Sequence, residues 1–365
     1  MLTRLRQWLA NRGDRAPARP VPTAAAAPAE IRTTDGIAFA IAPHLHRHEG
    51  FPILDWPAVH AWVDSLPAPQ RPTAWLDAER AWLAHVREAL GVHFRVDESK
   101  RALLVSSYEP NLAAATLKYL DHTLDRVVRV LEGIARIPDS GKTIMIVFDD
   151  VDAYYRYVSY YYPDDGSYAF SGGMCIAEGC AHLVTDKADL SVVEATIAHE
   201  MTHACVAHLP LPAWLNEGLA VNAEERITGR RTFRETPDEL RRKHRRFWDA
   251  ARIQEFWAGD SFYRTDDGQL LSYDLARIMV DELAADWPAF TRFALAADRA
   301  DAGAASAQAQ LGVELGAVAC ALLERPRKQA WAPDPQHWRQ EAAPAAAPHG
   351  VRQSTAPKRS CPSSV

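Results

Sequence analysis

Apolar residues recur at helical spacing over Trp56–Leu66 and again over Arg71–Leu90, where Trp75, Trp82, Leu83, Val86 and Leu90 share a face; two helices are predicted. VHFRVDESKRALLVSSY (Val92–Tyr108) reads as two strands joined by the polar turn DESK. Asn111–Ile134 follows the period of a long amphipathic helix, and KTIMIVFDD (Lys142–Asp150) is a short β-branched strand suited to the middle of a sheet. Val151–Tyr168 is rich in tyrosine (Tyr154, Tyr155, Tyr157, Tyr160, Tyr161, Tyr162), which reads as a helix and loop packed on the sheet or as an aromatic substrate wall. Tyr168–Thr185 alternates as strands around Gly172-Gly173 and Glu178-Gly179. A helix is expected from Ser191, where Ser191 and Glu194 have capping-box spacing, up to Pro210. Ala213–Ala220 begins a second helix running on to Gly229, Arg230–Arg246 reads as a solvated helix face, and Leu270–Trp287 is a further amphipathic helix.

These elements predict an α+β fold in which a small mixed sheet with an edge strand packs on a mainly helical region. The expected division is a disordered tail over 1–34, an α+β region over 35–164, a region carrying the chemistry over 165–325, and a mostly disordered tail over 326–365. Leu2, Leu5, Trp8 and Leu9 at the start follow helical spacing, as a frayed tail or a short amphipathic anchor. No internal repeat is present.

Composition narrows the classes. A hydrophobic fraction of 48% with 11 Trp in 365 residues supplies a buried core, and a net charge of −6 argues against nucleic acid as a partner. Cys175, Cys180, Cys205, Cys320 and Cys361 are odd in number and contain no C-x-x-C, which excludes a zinc ribbon and suggests reduced thiols in a cytoplasmic protein. A local Cys175–Cys180 pair is the alternative in an oxidising compartment. No run approaches the length of a transmembrane helix. DSGKT ahead of the Lys142–Asp150 strand is no phosphate loop, because the first Gly of that pattern falls on Arg136 and the strand follows the motif instead of preceding it.

The chemistry concentrates in SVVEATIAHEMTHACVAHLPLPAWLNEGLA (residues 191–220). His199 and His203 stand four apart, about 40° around a helix, so both imidazoles reach one metal ion from one face. Glu200 lies about 100° from His199 and flanks the ion, where a base takes a proton from a water activated by it. The motif is H-E-x-x-H. A metzincin continuation fails, since Val206 and Leu209 occupy the required Gly and His positions and His208 points elsewhere. Glu217, early in the second helix after Pro210 and Pro212, is the candidate third ligand; Glu224, seven residues on and on the same face, is the fallback.

This pattern resembles the gluzincins, the H-E-x-x-H…E peptidases. WLNEG-A (Trp214–Gly218 and Ala220) looks like the third-ligand segment of the M1 aminopeptidase type. Thirteen residues separate His203 from Glu217 where M1 enzymes have eighteen, and Val221 stands where thermolysin has an Asp, so the likeness is to the looser peptidase MA-like group. It covers about 165–325, tightly over 191–220. It implies one Zn²⁺ per chain held by His199, His203 and Glu217, Glu200 as general base, and a peptide or protein substrate bound along an edge strand at Gly172–Met174 or His182–Val184. It also implies that Tyr273 steadies an oxyanion, with simple packing as the alternative. A zinc hydrolase of another amide or ester, and a non-catalytic metal-binding module, are the competing readings.

Overall fold

The computed structural model describes residues 26–161, 173–176, 178–187, 190–233 and 235–338. The expectations for the first 25 residues, for Tyr162–Gly172 and for the tail from Glu341 lie outside these, as does the side chain of Ser191 in the proposed capping box.

Two small hairpins open the described chain: β1 (Glu30–Arg32) with β2 (Ala38–Ala40), and β3 (Leu45–His48) with β4 (Phe51–Leu54), both antiparallel. Ordered structure therefore begins before residue 35, because Ile31 is buried against the hydrophobic cluster that contains Phe39. Helices α1 (Trp56–Ser65) and α2 (Arg71–Leu90) follow, then the predicted strand pair β5 (Arg95–Glu98) and β6 (Ala102–Ser106), whose turn falls at 99–101 because Asp97 and Glu98 of DESK belong to β5. Helix α3 (Pro110–Val130) ends four residues before the predicted Ile134, and β7 (Thr143–Phe148) enters the sheet. Next come α4 (Val151–Val158), β8 (Gly173–Ile176), β9 (His182–Asp186), α5 (Leu190–Val206) and α6 (Ala213–Thr228). Six helices complete the set: α7 (Pro237–Phe247), α8 (Arg252–Ala258), α9 (Asp267–Leu283), α10 (Trp287–Ala296), α11 (Ala304–Leu311) and α12 (Leu315–Leu322).

The five-stranded sheet has the order β5-β6-β7-β9-β8. Its inner strands β6, β7 and β9 run parallel and both edges are antiparallel, so the class is α+β with a mixed sheet. β7 is central and buried on both faces, as its unbroken apolar run requires. Because β8 and β9 complete a sheet begun by β5, β6 and β7, the boundary expected at 164/165 falls between strands of one hydrogen-bonded sheet. The side-chain alternation divides the core in two. Leu103, Val105, Ile144, Ile146 and Val184 face the N-terminal helices, while Leu104, Met145, Val147, Cys175 and Leu183 face α3, α5 and the C-terminal helices.

The tyrosine-rich segment settles on the first of those faces. Tyr154 and Tyr157 are buried there with Phe148, and the Tyr157 hydroxyl donates to Nε2 of buried His182 at 2.7 Å. Those two rings are core, not a substrate wall. Asp149 and Asp150 are a strand end: Asp150 caps α4 by accepting from the Ala153 N–H at 2.7 Å, and Asp149 pairs with Lys187. The Arg-rich α7 is solvated on most faces, with Leu240 and His244 turned inward. Chain order extends past 326 because Trp331 is buried and its carbonyl accepts from Trp257 Nε1 at 3.0 Å.

Candidate metal centre

Helix α6 is the hub. Residues on all its faces are buried, including Trp214, Leu215, Leu219, Val221 and Ile227, which marks a helix enclosed by neighbours and not one lying on a surface. It packs between α5 and α9. The approach to α9 is close enough that a Cβ on Gly218 would lie 2.6 Å from the Ala276 carbonyl oxygen and 2.7 Å from Val280 Cγ2. Asn222 ties the two helices by donating to the carbonyls of Gly218 and Arg277, each at 2.9 Å. Pro210 and Pro212 turn the chain from α5 into α6, and Gly229, with φ of 68°, ends it.

That packing brings three buried side chains together. Oε2 of Glu217 lies 3.2 Å from Nε2 of His199 and 3.4 Å from Nε2 of His203. One ligand atom from each of the three residues falls within 4.8 Å of the others, and all three residues are buried. Two imidazoles and a carboxylate shielded from water form a donor set that fits a metal ion, and this is the one such group among the described residues.

The far side of each imidazole is also engaged. His203 Nδ1 is 3.0 Å from the Asn216 side-chain oxygen, and His199 Nδ1 is 3.3 Å from Oε2 of Glu224. His203 donates through Nδ1 to Asn216, which turns its Nε2 toward the shared centre, and the Glu224 carboxylate stands on the Nδ1 side of His199. Glu224, the fallback ligand, thus stands behind His199 and outside the three-residue group. Burial, the largest single effect, lowers the pKa of His203, but the Glu217 carboxylate together with Glu200 and Asn216 raises the value to about 9.

Glu200 is buried one position along α5 from His199. Cys175, on β8, is its neighbour: burial first, and the Glu200 carboxylate next, push that thiol well above its ordinary range. Cys175 was not singled out as a site residue by sequence reasoning. The available signal was strand alternation, which turns it toward α5 while Met174 and Ile176 face the other way. Cys175, Cys180, Cys205 and Cys320 are all free and buried, so the Cys175–Cys180 pairing does not form. The reason is that Cys180 sits in the opposite half of the core.

Tyr273 lies in the second turn of α9, buried, with its ring 6.3 Å from that of His199 and edge-on to Phe262 at 5.2 Å. Of the two proposed edge segments, β9 is excluded because it pairs with both β7 and β8; among the described residues β8 occupies the sheet edge, and it lies against α5. His208 is exposed beyond the end of α5, away from the group. No helix is long and apolar enough to cross a membrane among the described residues. Compared with known proteins, the chain matches no family model and no curated sequence.

Proposed function

We propose that the chain is a zinc-dependent peptidase of gluzincin type that hydrolyses peptide bonds with Glu200 as general base. The observation that carries this reading is the position of Glu200 on α5, beside a buried His199–His203–Glu217 group that fits a metal. A purely structural metal site has no use for such a base. Two neutral imidazoles and one carboxylate leave a Zn²⁺ ion one net positive charge and a fourth position open. When bound there, the ion acidifies a water toward neutrality and polarises a carbonyl.

The remaining work belongs to the protein. Asn216 holds His203 through Nδ1, and Glu224 stands 3.3 Å from Nδ1 of His199. Glu200 accepts the proton from the attacking water and passes it to the departing amine, so the same carboxylate acts as base and then as acid. Its burial shields that proton from bulk solvent. Tyr273 is the residue proposed to donate to the oxyanion, a contact worth about 3–4 kcal/mol in other hydrolases. Among the described residues β8 pairs on one side only, and its open edge suits an extended peptide added as a further strand. That edge favours a peptide over a compact amide or ester.

Zinc-loaded protein and its Glu200→Gln variant, digested against a peptide library and panels of small amides and esters, test the reading. Cleavage of peptides by the parent, with zinc retained and turnover lost in the variant, is expected. Undiminished turnover in Glu200→Gln removes the mechanism, and hydrolysis confined to the small-molecule panels replaces the peptide with another acyl substrate.

A further inference from the structure

The loop that leaves α6 is attached to the metal centre through one side chain. The Thr232 hydroxyl donates to Oε1 of Glu224 at 3.0 Å, and the Thr232 backbone N–H donates to Oε1 of Glu225 at 2.8 Å. Thr232 therefore spans two consecutive glutamates whose side chains leave the helix in different directions. Glu225 is partly exposed, so the backbone contact anchors the loop near the surface, whereas Glu224 is buried and its other oxygen faces His199 Nδ1 at 3.3 Å. Upstream, the Thr228 hydroxyl donates to the Glu224 carbonyl at 2.8 Å and also accepts from the Arg230 N–H at 3.2 Å, which fixes the turn that returns Thr232 to the helix.

The geometry points to Thr232 as a positioning residue for the metal centre: its hydroxyl holds the Glu224 carboxylate in the rotamer that orients His199. This rests on the metal reading above. A carboxylate has two oxygens and a freely turning terminal torsion. Engaging Oε1 with a hydroxyl leaves Oε2 on the imidazole side, 3.3 Å from His199 Nδ1, while Nε2 of the same ring faces Glu217. Without the hydroxyl, Glu224 gains rotational freedom and a buried oxygen loses its donor. The cost then appears in how well His199 is prepared for the ion. The Thr232 hydroxyl is bonded to Glu224 and not to a ligand of the ion, so its effect reaches the centre through Glu224.

Thr232→Val keeps the branched shape and the backbone N–H while deleting the hydroxyl, and Thr232→Ser keeps the hydroxyl. Metal-free full-length protein is titrated with Zn²⁺ against a chromophoric chelator, and the metal-free melting temperature is recorded for each form. Expected is a zinc affinity about tenfold weaker in T232V, at the low end for loss of an outer-shell partner, with T232S binding as the parent does and metal-free melting temperatures close together. Equal affinity of T232V and parent overturns the proposal while leaving the metal site standing. Equal weakness of T232S overturns it too, since shape and not the hydroxyl would then matter. A parent that takes up no zinc defeats the metal reading itself. Should T232V fail to fold, T232A is read by the same comparison.

Discussion

Nε2 of His199 lies 3.2 Å from Oε2 of Glu217, although the two residues are 18 apart in sequence and belong to different helices. The contact exists because Gly218, next to Glu217, lets α6 come against α9 while its opposite side meets α5. Glu217 lies within 3.4 Å of both imidazoles, so it completes the group; Glu224 faces the other nitrogen of His199. Glu217→Ala is expected to reduce zinc binding by more than a hundredfold, a loss typical of removing a direct ligand when outer partners alone cost 10–100-fold. Chelator competition reads this, and affinity unchanged within a few-fold would exclude Glu217 as a ligand.

Asn216 holds the far side of His203 by a hydrogen bond. Its side-chain oxygen is 3.0 Å from Nδ1, and replacing it by Leu removes the acceptor that fixes the ring and its tautomer. Asn216→Leu is expected to weaken zinc by about tenfold with the fold retained. The same titration and a circular dichroism melt check both halves of that statement.

Gly218 predicts a steric effect. A methyl group there meets the Ala276 carbonyl at 2.6 Å, and a backbone oxygen cannot swing aside as a flexible side chain would. Gly218→Ala should cost about 1–3 kcal/mol through overpacking, partly offset by the better helix propensity of Ala. Urea unfolding of the metal-free protein measures it. A variant as stable as the parent would mean that α6 and α9 separate without penalty.

A further buried carboxylate, in the other half of the core from the metal group, gives the pH prediction. Glu79 accepts from Trp75 Nε1 at 2.7 Å and from the Lys142 backbone N–H at 3.0 Å, and burial raises its pKa from 4.5 to about 7. A folded-state pKa above the unfolded one gives stability that is complete below pH 4.5 and is lost as pH rises through about 7. The full span is worth about 3 kcal/mol. In chelator, denaturant unfolding of the parent should weaken from pH 5 to 8, and Glu79→Gln should show a shallower slope. Identical slopes would assign the pH dependence to other groups.

Much of this was legible along the chain, for reasons that differ by element. Arg71–Leu90 and Ala213–Gly229 are bounded by prolines and glycines and repeat apolar residues cleanly, so their limits follow from local chemistry. His199, Glu200 and His203 share one helix, where spacing alone fixes their relation. Glu217 could be nominated because a two-proline turn keeps the second helix beside the first. The contact between Glu224 and His199 was not legible: it depends on the angle at which two helices cross, which seven-residue spacing does not determine. The same holds for Cys175 against Glu200, for Glu79 beneath the sheet, and for Trp331 docking on Trp257, all products of long-range packing. The sheet crossing residue 165 was hidden because parallel strands pair across intervening helices that local patterns treat as separate units.

Zinc uptake by the intact, metal-stripped protein tests the central claim most directly. Titration followed by elemental analysis after gel filtration should give close to one zinc per chain in the parent and far less in a His199→Ala/His203→Ala double variant. A parent that retains no zinc, or a double variant that retains as much as the parent, would contradict the account.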